Sequence, residues 1–365
     1  MKFSIIRSKF LDSLKNVQNI VAGKASLQIL QNVRIEAGEG RIILTTTDLS
    51  ITVKASAECD IAEPGATTLP VRLLFLTVSK MSEGIVTVEV DASDRAVVSG
   101  GSAVFKISGL PERDFPKIEQ EDDSFAYTIP QPVLREMLRK THYAASTDET
   151  RRNLQGVLFS FKEGKLTMVA TDGRRLALVE NEIEIPAGGE RDVILSTRSI
   201  VELLRILGSG EGSVTMYLRK TQVHFDFGEI AFSSKLVAEN YPDYRQVIPG
   251  ACAESASVDR QLLIDAIDRA SVMFLEQKNS THFVFGENQL IISSTSADIG
   301  EARDIVPIKY AGPKIETSFN PQFIIEPLKA IDDNEVTIDM NDGISPFVIK
   351  CPERFLYVLM PLRQI

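Results

Sequence analysis

The stretch GKLTMVATDGR at residues 164–174 decides how this chain is read, because the same pattern occurs three times. Its counterparts are GRIILTTTDLS at residues 40–50 and NQLIISSTSAD at residues 288–298, and aligning Thr47, Thr171 and Thr295 gives two equal spacings of 124 residues. Equal spacing of self-similar segments is the mark of repeated structural modules. Working outward, each copy is preceded by a strand-like run, LQILQNVRIEA at 27–37, NLQGVLFSF at 153–161 and THFVFG at 281–286. Before each of these lies a helix pattern: FLDSLKNVQNI, PVLREMLRKTH and QLLIDAIDRAS.

The following half repeats as well. LPVRLLFLTVSKM, STRSIVELLRILG and FNPQFIIEPLKAI have helical periodicity, and the alternating runs GIVTVEV, GSVTMYL and NEVTIDM come after them. In the middle copy Ile200, Leu203, Leu204 and Leu207 fall on one helical face. Links such as Glu163-Gly164 and Gly286-Glu287-Asn288 are too short for a crossover helix, so hairpins and antiparallel pairing are expected. The fold class read from this is α+β: three similar modules, each with two helices packed on antiparallel sheets. Boundaries are expected at the acidic stretch Glu119-Gln120-Glu121-Asp122-Asp123 and at the small, polar stretch from Gly250 to Ser257, giving modules at 1–124, 125–250 and 251–365.

Composition narrows the function. The hydrophobic fraction is 44% and the charged fraction 25%, as in ordinary globular chains, and no apolar run approaches the ~20 residues that span a bilayer. The N-terminal segment carries Arg7, Lys9 and Asp12 where a secretory signal needs an unbroken apolar core, so a cytoplasmic protein is expected. Cys59, Cys252 and Cys351 are scattered, without neighbouring histidines, and imply neither disulfides nor zinc. A net charge of −10 disfavours an indiscriminate nucleic-acid binder but leaves room for a locally basic face.

Catalytic signatures are missing. His142, His224 and His282 stand in no metal or nucleophile-base spacing. The acidic run around Asp332, Asp333, Asp339 and Asp342 lacks the alternation of a calcium loop, and Lys350 stands where its closing Glu would be. Gly208-Ser209-Gly210-Glu211-Gly212 follows a helix, opens none, and reads as a stop and turn rather than a phosphate loop. No cofactor, no metal and no enzymatic activity are expected.

The phrases MKFSIIRSKFLDSL, LQILQNVRI, VATDGRRLA, ENYPDYRQVIP and YVLMPLR, in this order along the whole chain, resemble the bacterial sliding clamp family, the DNA polymerase III beta subunit. The resemblance implies the DNA clamp fold and a head-to-tail ring dimer. It implies a non-catalytic processivity factor that encircles double-stranded DNA without reading sequence and tethers the replicative polymerase, the clamp loader and other proteins bearing the clamp motif. By the same resemblance Lys24, Arg72, Arg151, Arg152 and Arg198 match DNA-facing basic positions. Helix spacing adds Arg205, seven residues beyond Arg198, and Lys80, which shares a helix with Arg72. The peptide pocket of the family maps to Leu154, Thr171, Gly173, Arg174, Arg175, Leu176, Pro242, Arg245, Val247, Asn320, Phe323, Val358, Met360, Pro361, Leu362 and Arg363. Phe105, Ile107, Val272 and Met273 match its dimer contact. Arg174 and Leu362 depart from the residues common there, as does the Gln364-Ile365 tail, so peptide preference is expected to differ. The competing reading is a three-module scaffold that never encircles DNA; an enzyme would need a site of Asp, Glu and Arg alone.

Overall fold

The structure is a computed structural model and describes residues 1–21, 27–118, 124–273, 280–296, 300–351 and 354–362. Six α-helices stand in it: α1 Arg7–Val17, α2 Val71–Lys80, α3 Gln131–Thr141, α4 Thr197–Leu207, α5 Arg260–Ser271 and α6 Pro321–Ala330. Two therefore fall in each third of the chain. Every strand pairing is antiparallel, as the short links require.

The helices form where apolar residues recur on one face. On α1 the residues Phe10, Leu14 and Val17 are fully buried, and on α5 so are Leu263, Ile267 and Ala270. Asp259 and Asn320 start α5 and α6 by accepting the backbone N–H of Leu262 and Gln322. On α4 the buried face is Ile200, Leu203 and Leu207; Leu204, expected with them, is half-buried.

The chain divides into two compact units. One comprises Met1–Pro132 and Val201–Leu236. It holds a five-stranded sheet in the order Asp60–Glu63, Lys2–Ile6, Ile85–Val90, Arg95–Gly100, Ala103–Ser108. Its eight-stranded sheet runs from Phe125–Pro130 through Ser213–Leu218, Gln222–Asp226 and Ile230–Lys235, then across to Ile51–Glu58, Arg41–Thr47, Asn32–Gly38 and Gly65–Pro70. The other comprises Val133–Ile200 and Val237–Ile365. Its twelve strands are continuous from Arg191–Ser196 to Ile315–Phe319, and in the middle Arg175–Glu182 pairs with Phe355–Leu359.

This division cuts the middle third in two, for a physical reason. Hydrogen bonding at Ile230–Lys235 with Ile51–Glu58, and at Arg175–Glu182 with Phe355–Leu359, makes one sheet out of strands from successive repeats. Backbone pairing thus couples half of each repeat to its neighbour's strands. The stretch Gly250 to Ser257 is not all connector, because the strand Glu254–Asp259 begins inside it, with Ala256 and Val258 buried by alternation. The acidic stretch 119–123 lies outside the described residues.

Candidate peptide-docking site and basic surface

The site grows from the turn that opened the sequence reading. Thr171 Oγ1 donates to the Arg175 carbonyl at 2.6 Å and accepts from Gly173 N at 3.0 Å. Asp172 Oδ1 accepts from the backbone N–H of Arg174 and Arg175, at 2.8 and 3.1 Å. Gly173 has φ +86°, a left-handed conformation that glycine adopts without a Cβ penalty. The turn is therefore held by its own side chains and delivers a strand in which Leu176 faces Val358. Beyond the partner strand Phe355–Leu359 the chain continues through residues 360–362, tied where Met360 N donates to Arg174 O and Leu362 N to Ser318 O.

Leu176 and Val358 belong to a buried cluster with Leu158, Val169, Ile194 and Tyr244, edged by Val237, Tyr241 and Ile248. Around this floor stand exposed apolar side chains: Val247 at 53%, Met360 at 42% and Leu362 at 37%. Pro242 and Pro361 add further surface, and Arg245 lies over the Tyr244 ring at 4.8 Å. Leu154 and Thr171 are buried beside the floor, while Gly173 and Arg174 are exposed on the turn. Exposed apolar groups above a buried apolar floor are what an adaptable docking surface needs.

Arg175 has a different part from a wall residue. It is 8% exposed, ion-paired with Asp172 and Glu326, donates to the Tyr143 carbonyl at 2.6 Å, and lies over the Phe323 ring. Burial opposes its charge, but Tyr357, Glu326 and Asp172 more than offset that and hold it protonated. Phe323 is thus covered by Arg175, and its carbonyl accepts the Tyr357 hydroxyl at 2.6 Å. Asn320 caps α6. Burial also pushes the phenols of Tyr143, Tyr241 and Tyr357 up, so all stay neutral. Sequence reading missed Tyr244, Tyr241, Tyr143 and Glu326. Tyr244 sits in a single short 3-10 turn, where periodicity gives no signal, and Tyr143 and Glu326 enter only through Arg175.

The basic positions do not share one environment. Arg72, Lys80, Arg152 and Arg198 are exposed. Arg72 also donates to the Val21 carbonyl at 3.0 Å. Arg151 pairs with Asp148 and donates to the Asp172 carbonyl, which puts it at the peptide-site turn. Arg205 pairs with Glu202 and donates to the carbonyls of Lys15 and Asn16 at the end of α1. It therefore closes the C-terminal end of a helix instead of projecting freely, a role that spacing alone did not reveal. Lys24 and Arg363 lie outside the described residues.

At the expected subunit contact, Phe105 is 38% exposed and Val272 69% exposed. Met273 is half-buried. Ile107, expected there too, is 4% exposed and faces its own module's core, while Val104 is 62% exposed. Asp339 pairs with Lys350 at 2.8 Å, and no group of three or more metal-ligating side chains occurs among the described residues.

Three α+β repeats joined into shared antiparallel sheets are the architecture of a sliding clamp. Comparison with known proteins agrees. Family profiles for the N-terminal, central and C-terminal domains of the DNA polymerase III beta subunit match residues 1–119, 128–243 and 245–363. The beta sliding clamp of Escherichia coli (strain K12) is 30% identical over 369 residues, covering 100% of both chains. The crystal structure of the Bacillus subtilis clamp superposes with TM-score 0.96 at 28% identity, and that of the Bartonella birtlesii clamp bound to griselimycin with TM-score 0.95 at 31%, each over 100% of both chains. The chain belongs to the DNA polymerase III beta subunit family. That family is the non-catalytic processivity subunit of the polymerase and acts as a clamp in DNA replication. No described helix is long and apolar enough to cross a membrane.

Proposed function

We propose that two copies of this chain close head to tail into a ring around duplex DNA, in the cytoplasm, and that each copy docks partner peptides over the Leu176 floor. The observation that carries the reading is the pattern of sheet joints. In two places a strand from one repeat extends the sheet of the repeat before it: Ile230–Lys235 on Ile51–Glu58, and Phe355–Leu359 on Arg175–Glu182. The third joint is open. Ala103–Ser108 is the last strand of its sheet, and Gly300–Lys309, paired along its length with Gln289–Ser296, meets another strand on its far side only at Ile308 and Lys309. Exposed edges of this kind are aggregation hazards unless paired. Pairing them between two copies closes a ring of six modules, a heterologous contact that ends at two.

Phe105 and Val104 on one edge, with Val272 and Met273 near the other, supply its apolar part. The three modules of this reading run over residues 1–124, 125–250 and 251–365. Lys24, Arg72, Lys80, Arg151, Arg152, Arg198 and Arg205 are assigned to the DNA-facing side, where salt-sensitive attraction to phosphate holds duplex without specificity. The docking site serves the replicative polymerase, the clamp loader and other proteins bearing a short hydrophobic clamp motif. Its members are the residues named above from Leu154 to Arg363, with Arg175 beneath them. Protein loaded on nicked circular DNA should persist there and be released when the circle is cut, and its mass should be near twice 40.3 kDa. Equal retention on linear and circular DNA would sink the ring.

A further inference from the structure

A second pocket, of about 300 Å³, lies in the first compact unit and is built on the same backbone frame as the peptide-docking site. At the turn Thr47–Ile51, Thr47 Oγ1 donates to Ile51 O at 2.9 Å and accepts from Leu49 N at 3.1 Å. Asp48 Oδ1 accepts from Ser50 N and Ile51 N, at 2.8 and 2.7 Å. These are the four hydrogen bonds of the Thr171–Arg175 turn, displaced by 124 residues. Downstream, Thr52 faces Ser233 as Leu176 faces Val358. Lys235 N donates to Ser50 O at 2.9 Å, just as Met360 N donates to Arg174 O.

The frame is kept and the chemistry is exchanged. Where the first site presents Leu176, Val358 and Met360, the second presents Thr52, Ser233 and Lys235. Lys117 and Gln222 also line it, and its described lining contains no Asp or Glu. Among the described residues neither lysine is engaged in an ion pair. Hydroxyls and ammonium groups in a concave site of this size select hydrogen-bonding, negatively charged ligands over apolar ones.

We propose that this pocket is a second docking site on the clamp, for an extended acidic peptide segment of a partner already held through its hydrophobic motif at the first site. It rests on the peptide-docking reading, because the shared frame is what identifies the ligand as an extended chain. Tethering through one site raises the effective concentration at the other, so a weak second contact suffices.

The test is fluorescence anisotropy on the full-length protein with two labelled octapeptides at fixed ionic strength, one alternating Glu and Ser, the other a Gln-Leu-Phe-containing hydrophobic sequence. The acidic probe should bind, should not be displaced by the hydrophobic one, and should lose at least tenfold in affinity in Lys117→Glu/Lys235→Glu. The hydrophobic probe should be unaffected by that variant and weakened by Met360→Asp. As a control for diffuse attraction, Lys162→Glu/Lys314→Glu alters net charge equally on exposed lysines that do not line this pocket. Equal loss in this control, displacement by the hydrophobic probe, or no acidic-probe binding to the wild type would each overturn the second site. Failure of the hydrophobic probe alone would overturn the first-site reading instead. Lys235→Met, which keeps the stem and removes the charge, should reproduce part of the loss; full acidic-probe affinity in it would count against the proposal.

Discussion

The Arg175 guanidinium lies 4.2 Å from the centre of the Phe323 ring and joins the Thr171–Arg175 turn to α6. Both residues were assigned by resemblance to a peptide pocket, yet the arginine is spent on Phe323, Glu326, Asp172 and the Tyr143 carbonyl. It stabilises the turn from beneath.

Arg175→Ala should therefore destabilise the protein, by about 1–3 kcal/mol, because truncation leaves the Tyr143 carbonyl unmet, uncovers Phe323 and removes the partner of the half-buried Asp172 and Glu326 carboxylates. Arg175→Lys keeps the charge but not the planar fork, and should recover only part of it. Thermal unfolding of the two variants checks this. A melting temperature equal to wild type in Arg175→Ala would show that the network contributes nothing.

Removing the chain from Met360 onward should abolish hydrophobic-peptide binding and leave the dimer. The lost wall amounts to about 100–150 Å² of apolar area, roughly 2.5–4 kcal/mol at about 25 cal/mol per Å², or about 100-fold in affinity. The backbone ties at Arg174 and Ser318 lie outside the open strand edges, so sedimentation should still report two chains. Peptide affinity unchanged in a dimeric truncation would mean the pocket is misplaced.

Charge reversal tests Arg198 and Arg205. Arg198→Glu should slow loading on DNA, increasingly so at low salt. Arg205→Glu should slow loading and also lower the melting temperature, because it faces the carbonyls of Lys15 and Asn16 with a carboxylate. A wild-type melting temperature in Arg205→Glu would deny Arg205 its part in holding α1.

His224 gives the stability a pH dependence of defined sign. Its ring is held below the ordinary histidine pKa by burial first, then by Arg219 and Lys54, with Asp226 opposing, and Nδ1 lies 2.9 Å from Ser233 Oγ. A folded-state pKa below the unfolded value of about 6.5 means that its neutral form supports the fold fully above that pH. That support is lost as pH falls from about 6.5 through the folded value. His224→Gln should flatten the stability slope in this window, and a proton NMR titration of His224 should have its midpoint below 6.5. A midpoint above 6.5 would reverse the sign and refute the assignment.

Much of this molecule was settled by the sequence alone. The 124-residue spacing of Thr47, Thr171 and Thr295, with period-2 and period-3.6 patterns around them, specified repeated α+β modules, because burial patterns are local and survive in one dimension. Antiparallel pairing followed from link length. The tertiary structure decided which strands of different repeats share a sheet, since those hydrogen bonds join residues far apart in sequence, as Ile51 with Ser234 and Arg175 with Leu359. It also decided which cations are already engaged. Helical spacing placed Arg198 and Arg205 together, but only the fold brings the carbonyls of Lys15 and Asn16 to Arg205, and Phe323 and Glu326 to Arg175. A side chain's charge is written in the sequence; whether that charge faces solvent or a partner depends on contacts between segments that no local pattern records.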